Sequence, residues 1–358
     1  MAALVQRIRA RAASLPTFDI PFLLILLLLL SYGLIMLFSA GYAVALYRRG
    51  DAYTYIRPQL LFAALGVLAM YAASLVDYHV WHRLAWPMLG ISLLLLAIVL
   101  FMPEYNGCKR WIVLPGLGTL QPSEIAKFSI VLVFSHIISL NHDRMKSFST
   151  GVVPFALTLG VVTVLMLLEP HLSGTILILG IGIVMMIVGG IKAWLVGLGL
   201  GGVSIVAVLY VKLVESGIIQ YGASRIQMWH DPWIDAADKG YQMCQSLISI
   251  GSGGLLGVGL GKSRQKFLFL PEEHNDFIFA VVCEELGLIG ACVVMLIFAL
   301  LVLRGFWVAL HARDRFGSLL AVGVTTQISL QVFLNIAVVT GLIPATGISL
   351  PFFSYGGT

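Results

Sequence analysis

Residues 20–38 read IPFLLILLLLLSYGLIMLF, nineteen positions without a single charge. As a helix rising about 1.5 Å per residue, a run of this length reaches the ~30 Å thickness of a bilayer's hydrocarbon core. Arg7, Arg9 and Arg11 precede it, in the manner of a signal peptide. The run nevertheless exceeds the ~7–15 residues of a signal h-region, and many similar runs follow it, so it reads as an uncleaved first helix.

Outward from there, further apolar runs lie near 58–76, 85–102, 124–140, 152–168, 172–190, 193–213, 277–303 and 317–340. The sequence therefore predicts an all-α polytopic membrane protein of about ten transmembrane helices. Nine are plain, and a tenth, Ile343–Phe353, is either re-entrant or truncated where the chain stops at Thr358. Composition agrees: 59% of the 358 residues are hydrophobic, only 11% are charged, and the mean hydropathy is +0.97. A soluble fold of this length needs a far more charged surface.

Short cytoplasmic loops collect Lys and Arg. With the N-terminus inside, the inner segments hold ten (Arg7, Arg9, Arg11, Arg83, Arg144, Lys146, Lys192, Arg304, Arg313, Arg315) and the short outer loops five (Arg48, Arg49, Arg57, Lys109, Arg110). That bias places 103–121 and a large loop, 214–271, which precedes the eighth span, on the extracytoplasmic side. No repeat or linker divides the chain, which is read as a single membrane domain over 1–358. The net charge of +5 follows from the positive inner loops. No basic stripe interleaved with aromatics suggests nucleic-acid binding. The four cysteines fit no zinc spacing; Cys108 and Cys244 both fall in outer loops, where a disulfide is chemically permitted.

Ionisable groups at membrane depth are costly, which makes each one a functional hypothesis. They concentrate in three places. In the first, Lys109 and Arg110 precede Gln121, Pro122, Glu124 and Lys127. Pro122 suits a first helical position, with Gln121 as cap and Glu124 at the third position. Two readings stand here: Glu124 and Lys127 neutralise each other within the helix, or Arg110 and Lys127 form a cationic pocket for a phosphate. In the second, Glu169–Thr175 (EPHLSGT) interrupts two spans. It reads as a tight outer turn at Ser173 and Gly174, or as a contribution of Glu169 and His171 to an outward cavity.

The third runs from Glu272 through His274 and Asp276 to Glu284 and Glu285. Glu284 and Glu285 read as structural anchors bonded to neighbouring elements. Asp276 stands at the mouth of a span, where it is either a helix cap or a carboxylate that accepts a proton. Between Gly251 and Gly261 lie six glycines, but no strand precedes them and no Gly-Lys-Ser/Thr with Walker spacing exists, since Leu256 stands five residues before the Gly261-Lys262-Ser263 triplet, which disfavours nucleotide binding. Close packing or a mobile flap explains them better.

Seven ordered blocks carry a family resemblance: KRWI at 109–112, QPSE at 121–124 with Lys127, GYQ at 240–242 with Gln245 and Ser246, IGSGG at 250–254, LPE at 270–272 with HNDFIF at 274–279, EELG at 284–287, and PFFSYGG at 351–357. In order and content the chain resembles the SEDS family of shape, elongation, division and sporulation proteins. Asn275, Cys283 and the Glu169/His171 pair depart from its commoner pattern. The resemblance implies a peptidoglycan glycosyltransferase that polymerises lipid II, an undecaprenyl-pyrophosphate-linked disaccharide peptide. It would work at the outer face of the bacterial cytoplasmic membrane with a class B penicillin-binding protein transpeptidase. It places the family's essential aspartate on Asp276 and its basic residues on Arg110 and Lys127. Glu124, Glu272 and His274, in the same blocks, are further substrate-binding candidates.

Glycan growth from a polyprenyl-pyrophosphate sugar needs a base for the incoming hydroxyl and cations for the departing pyrophosphate. Asp276 can supply the first, and Arg110 with Lys127 the second. The sequence demands no cofactor, although Asp276 and Glu272 are oxygen donors suited to Mg or Mn. The competing reading is a flippase for the same lipid precursor. Such a transporter needs polar residues along a whole path, whereas here they gather toward one end.

Overall fold

The computed structural model describes residues 19–103, 109–114, 118–169, 171–192, 194–197 and 228–356, with isolated positions 199, 201, 212 and 216. Arg7, Arg9, Arg11, Cys108, most of the 193–213 run and most of 214–227 lie outside them.

Nine principal helices are described: α1 Ile20–Arg49, α2 Ile56–Ser74, α3 His79–Val99, α4 Pro122–Asn141, α5 Val153–Leu168, α6 Leu172–Val188, α7 Tyr241–Gly253, α8 Ile278–Leu310 and α9 Arg315–Val339. A two-stranded antiparallel ribbon, β1 Ile112–Leu114 with β2 Gly118–Leu120, precedes α4. Among the described residues seven helical stretches are long and apolar enough to cross a membrane, and α6 is a shorter apolar helix. This is a polytopic helical membrane protein. The ends of α1 follow from capping chemistry. Asp19 accepts from the Phe22 amide at 3.0 Å, and Gly50 closes the helix in the left-handed region at φ 70°.

Two apolar cores run side by side. One is built from α3, α4, α5 and α6, the other from α1, α8 and the segment after α9. The central helices are α4 and α9, because α9 packs against both α8 and the α4–α6 pair. Positions on α4 as different as Val131, Leu132 and Val133 are all fully buried, as expected for a helix surrounded by protein.

Ile343–Phe353 forms no helix. It runs without regular structure into the bundle, where Leu350 and Phe353 are fully buried. Side chains of α9 satisfy its backbone: Asn335 donates to the Ile348 carbonyl at 2.6 Å and Gln331 to that of Ser349 at 3.1 Å. Irregular backbone inside a membrane protein requires such partners. Gly33 on α1 makes room for the turn, since a Cβ there would come within 2.1 Å of the Phe352 carbonyl oxygen.

The glycine-rich stretch is a packing device. Helix α8 breaks at Gly287 (φ 68°), and the loop after α7 supplies replacement bonds there. The amides of Val258 and Gly259 donate to the carbonyls of Glu284 and Glu285, and those of Leu288 and Ile289 to Gly254 and Leu255. A Cβ on Gly287 would meet the Gly257 nitrogen at 2.3 Å, so the contact is possible only between glycines. Glu284 and Glu285 fasten the same loop from below. Glu284 accepts from Ser249, Ser263 and the Arg264 amide, and Glu285 from Ser39 and from Lys266 at 2.8 Å. The Lys266–Glu285 pair is fully enclosed. Both glutamates are anchors, as their sequence setting suggests.

Candidate functional site

The loops before α4, between α5 and α6, and before α8 meet at one end of the bundle. Asp276 sits in the turn before α8, half-buried, with its carbonyl accepting from Asn335 at 2.8 Å. It is not a helix cap: Phe277 is the N-cap of α8, without a side-chain bond. On one side the carboxylate faces Gly347, where a Cβ would lie 3.1 Å from Oδ2. Gly347 adopts φ 63°, so both the space and the backbone there call for glycine. Burial, and next the neighbouring Glu272 carboxylate, push the Asp276 carboxyl up to about 6, with Arg110 and His274 opposing the rise.

Beyond Gly347 lies a small cavity of about 40 Å³, room for roughly one water. Gln121, Glu124, Lys127, His171, Ser173, Gln331 and the Gly347–Ser349 backbone form its walls. Lys127 is buried and bonds to both Glu124 at 2.7 Å and Gln331 at 3.2 Å. The intrahelical Glu124–Lys127 pair therefore exists, and it also faces the cavity. Gln121 holds the N-cap position of α4, with Pro122 at the first helical position, but its side chain makes no cap bond. Its side-chain nitrogen lies 3.4 Å from Nε2 of His171 instead.

Arg110 reaches the same cluster and donates from Nε to the Glu169 carbonyl at 3.4 Å. Its charge acts on Asp276, Glu169 and His171 together. Glu169 is buried with Oε1 unbonded, and burial pushes its carboxyl up to about 8 against the pull of Arg110. His171 is held neutral, its imidazole pushed down to about 3 by burial first and then by Arg110 and Lys127. Ser123, His171 and Ser173 each keep a buried polar atom without a protein partner. Unbonded polar atoms so concentrated mark a place where water or a ligand completes the network.

The structure thus brings Asp276, Arg110, Lys127, Glu124, Glu169 and His171 together. Glu272 is exposed on the rim, at φ 57°, with its carboxylate bonded to Asn275. His274 turns the other way, stacking on Tyr55 at 4.3 Å and neighbouring Tyr355 at 6.0 Å. Gln331 and Asn335 were not singled out by the sequence reading. Their signal was two amides four residues apart within an apolar span, hence on one helix face. Among the described residues no group of three or more His, Cys, Asp or Glu side chains could hold a metal ion. Cys244 is buried and its thiol donates to the Pro232 carbonyl at 3.3 Å.

A family model described as a cell cycle protein of the FtsW, RodA and SpoVE type matches residues 20–358. The chain belongs to this family. It is 42% identical over 350 residues to stage V sporulation protein E of Bacillus subtilis, covering 95% of this chain and 92% of that one. It is 38% identical over 347 residues to the probable peptidoglycan glycosyltransferase FtsW of Geobacter sulfurreducens, covering 95% and 91%. Among solved structures it is similar to a chain from work on the structural coordination of polymerization and crosslinking by a peptidoglycan synthase complex. That match has a TM-score of 0.78 at 27% identity, covering 95% of this chain and 93% of that one. The rod shape determining protein RodA of Thermus thermophilus aligns with a TM-score of 0.70 at 27% identity, covering 95% and 91%.

Proposed function

We infer that the protein is a peptidoglycan glycosyltransferase that joins lipid II into glycan strands, with Asp276 as general base. Membership of the family supports the reaction class. The observation that carries the residue assignment is the carboxylate of Asp276, raised toward neutrality, beside a cavity bordered by Lys127 and within the field of Arg110. A base whose pKa lies near the working pH takes a proton efficiently. Here Asp276 takes it from the acceptor sugar hydroxyl, whose oxygen attacks the anomeric carbon of the donor. The bond from that carbon to the pyrophosphate breaks, and Arg110 and Lys127 stabilise the charge that leaves.

The full bundle on this reading has ten membrane segments, counting the 193–213 run and the re-entrant end. The N-terminus is cytoplasmic, and the site opens at the outer face of the bacterial cytoplasmic membrane. A class B penicillin-binding protein is the transpeptidase partner. Asp276 and Glu272 offer too few donors for an all-protein metal site, but a divalent cation can be shared with substrate phosphates and water. A flippase fits less well, because among the described residues the buried charged side chains Lys127, Glu169, Lys266, Glu273, Glu284 and Glu285 lie toward the Asp276 end of the bundle rather than along a whole path. The deciding assay is glycan polymer formation from lipid II by the purified protein, alone and with the cognate transpeptidase. Polymer from the wild type and none from Asp276→Asn supports the reading. Near-normal polymer from Asp276→Asn removes Asp276 as the base, and none from the wild type under either condition removes the activity.

A further inference from the structure

Helix α4 carries Lys127 near one end and Ser139 near the other, twelve residues apart or roughly 18 Å along the axis. At the Ser139 end a second and larger cavity opens, about 390 Å³, where the starts of α3 and α9 meet the last turn of α4. Its size falls within the range of small-ligand sites. None of its residues takes part in the cluster around Asp276.

Its lining is cationic. Arg83 and Arg315 are both exposed, and among the described residues neither has an ion-pair or hydrogen-bond partner. Asp314, the carboxylate in the wall, is already engaged. It accepts from the Tyr78 hydroxyl and the Gly317 amide, and it lies 3.7 Å from His79, which in turn contacts Asp77 at 2.6 Å. Arg313 adds another positive charge next to it in the chain. Deeper in, His82 approaches the Ser139 hydroxyl at 3.2 Å, packs on Phe316 and lies 4.3 Å from the ring of His136. Nδ1 of His136 is buried without a partner. Leu140 in the same wall and Val80 and Leu84 next to it are exposed apolar side chains on membrane-crossing helices.

We propose that this cavity binds the phosphate headgroup of an anionic phospholipid in the leaflet opposite the candidate active site. Two unpaired guanidiniums suit a phosphate, which accepts their paired N–H groups. The starts of two long helices add positive potential at the same place. The apolar side chains flanking the cavity favour a ligand that brings acyl chains over a free anion, and basic pockets between transmembrane helices are a known setting for such headgroups.

The test compares purified full-length wild type with the Arg83→Gln/Arg315→Gln double variant. Retention of phosphatidylglycerol and of phosphatidylcholine is read by native mass spectrometry, and thermal stability in micelles of each lipid and in millimolar inorganic phosphate. Expected are retention of phosphatidylglycerol over phosphatidylcholine by about tenfold or more, weakened by salt, and a stabilisation specific to phosphatidylglycerol. The double variant should lose both while remaining folded, since the two arginines are exposed and unpaired. Equal retention of the two lipids by wild type, or undiminished phosphatidylglycerol retention by the variant, overturns the proposal. Stabilisation by inorganic phosphate equal to that by phosphatidylglycerol assigns the cavity to the free anion and overturns the lipid.

Discussion

Asp276 and Glu169 are both carboxyls raised by burial, yet at neutral pH they fall on opposite sides of their titrations. Asp276, at about 6, is mostly ionised and able to accept a proton, whereas Glu169, at about 8, is mostly neutral. Because a base works only when ionised, kcat/KM for polymerisation should climb as pH rises through about 6. Asp276→Asn should abolish that limb and lower the rate by about 10²–10⁴-fold. A pH–rate profile of both proteins checks this, and a limb that persists in the Asn variant would assign it to another group. For Glu169 the sign runs through stability. Its folded pKa lies above the ordinary value of 4.5, so the neutral form is the one the fold tolerates. Stability is therefore intact below about 4.5 and is lost as pH rises through about 8. Glu169→Gln should flatten that decline, raising the Tm relative to wild type at pH values above 8 and changing it little in acid.

At the scale of elements, periodicity and charge fixed most of what can be read without coordinates. The eight apolar runs that fall within the described residues are helices because length and apolarity suffice in a membrane, and Asp276, Arg110 and Lys127 stood out as charges in the wrong solvent. The break at Gly287 was not legible, since a glycine within an apolar run reads equally well as continuing helix. For Ile343–Phe353 the sequence left two alternatives, re-entrant or truncated; its irregular course into the bundle depends on amides of Gln331 and Asn335 that only the fold brings alongside. The stacking of His274 on Tyr55, more than 200 positions away in the chain, is likewise a contact that sequence order does not show. Gly287→Ala tests the broken helix. A Cβ would strike the backbone of Leu255 and Gly257 at a positive φ, so the loop should unseat from α8. The variant should lose several degrees of Tm, and amide exchange should accelerate at Val258 and Gly259. An unchanged Tm would show that the loop contact contributes little.

For the molecule as a whole, α4 links two polar clusters at opposite ends of one bundle, so assigning either end to a side of the membrane assigns both. The Lys/Arg bias puts the Asp276 end outside. Two exposed positions can read this directly: Lys262 on the loop anchored by Glu284 and Glu285, and Arg313 beside the start of α9. Ser263, one residue away, is fully buried among those anchors, and a cysteine there would stay silent whichever side it faced. In a background lacking Cys108, Cys244, Cys283 and Cys292, Lys262→Cys should react with a membrane-impermeant maleimide in intact cells. Arg313→Cys should react only after permeabilisation. The reverse pattern would turn the molecule over and move the candidate active site to the cytoplasmic face. Polymer from lipid II would then form on the wrong side to join the wall, and the flippase reading would gain the ground that the glycosyltransferase lost.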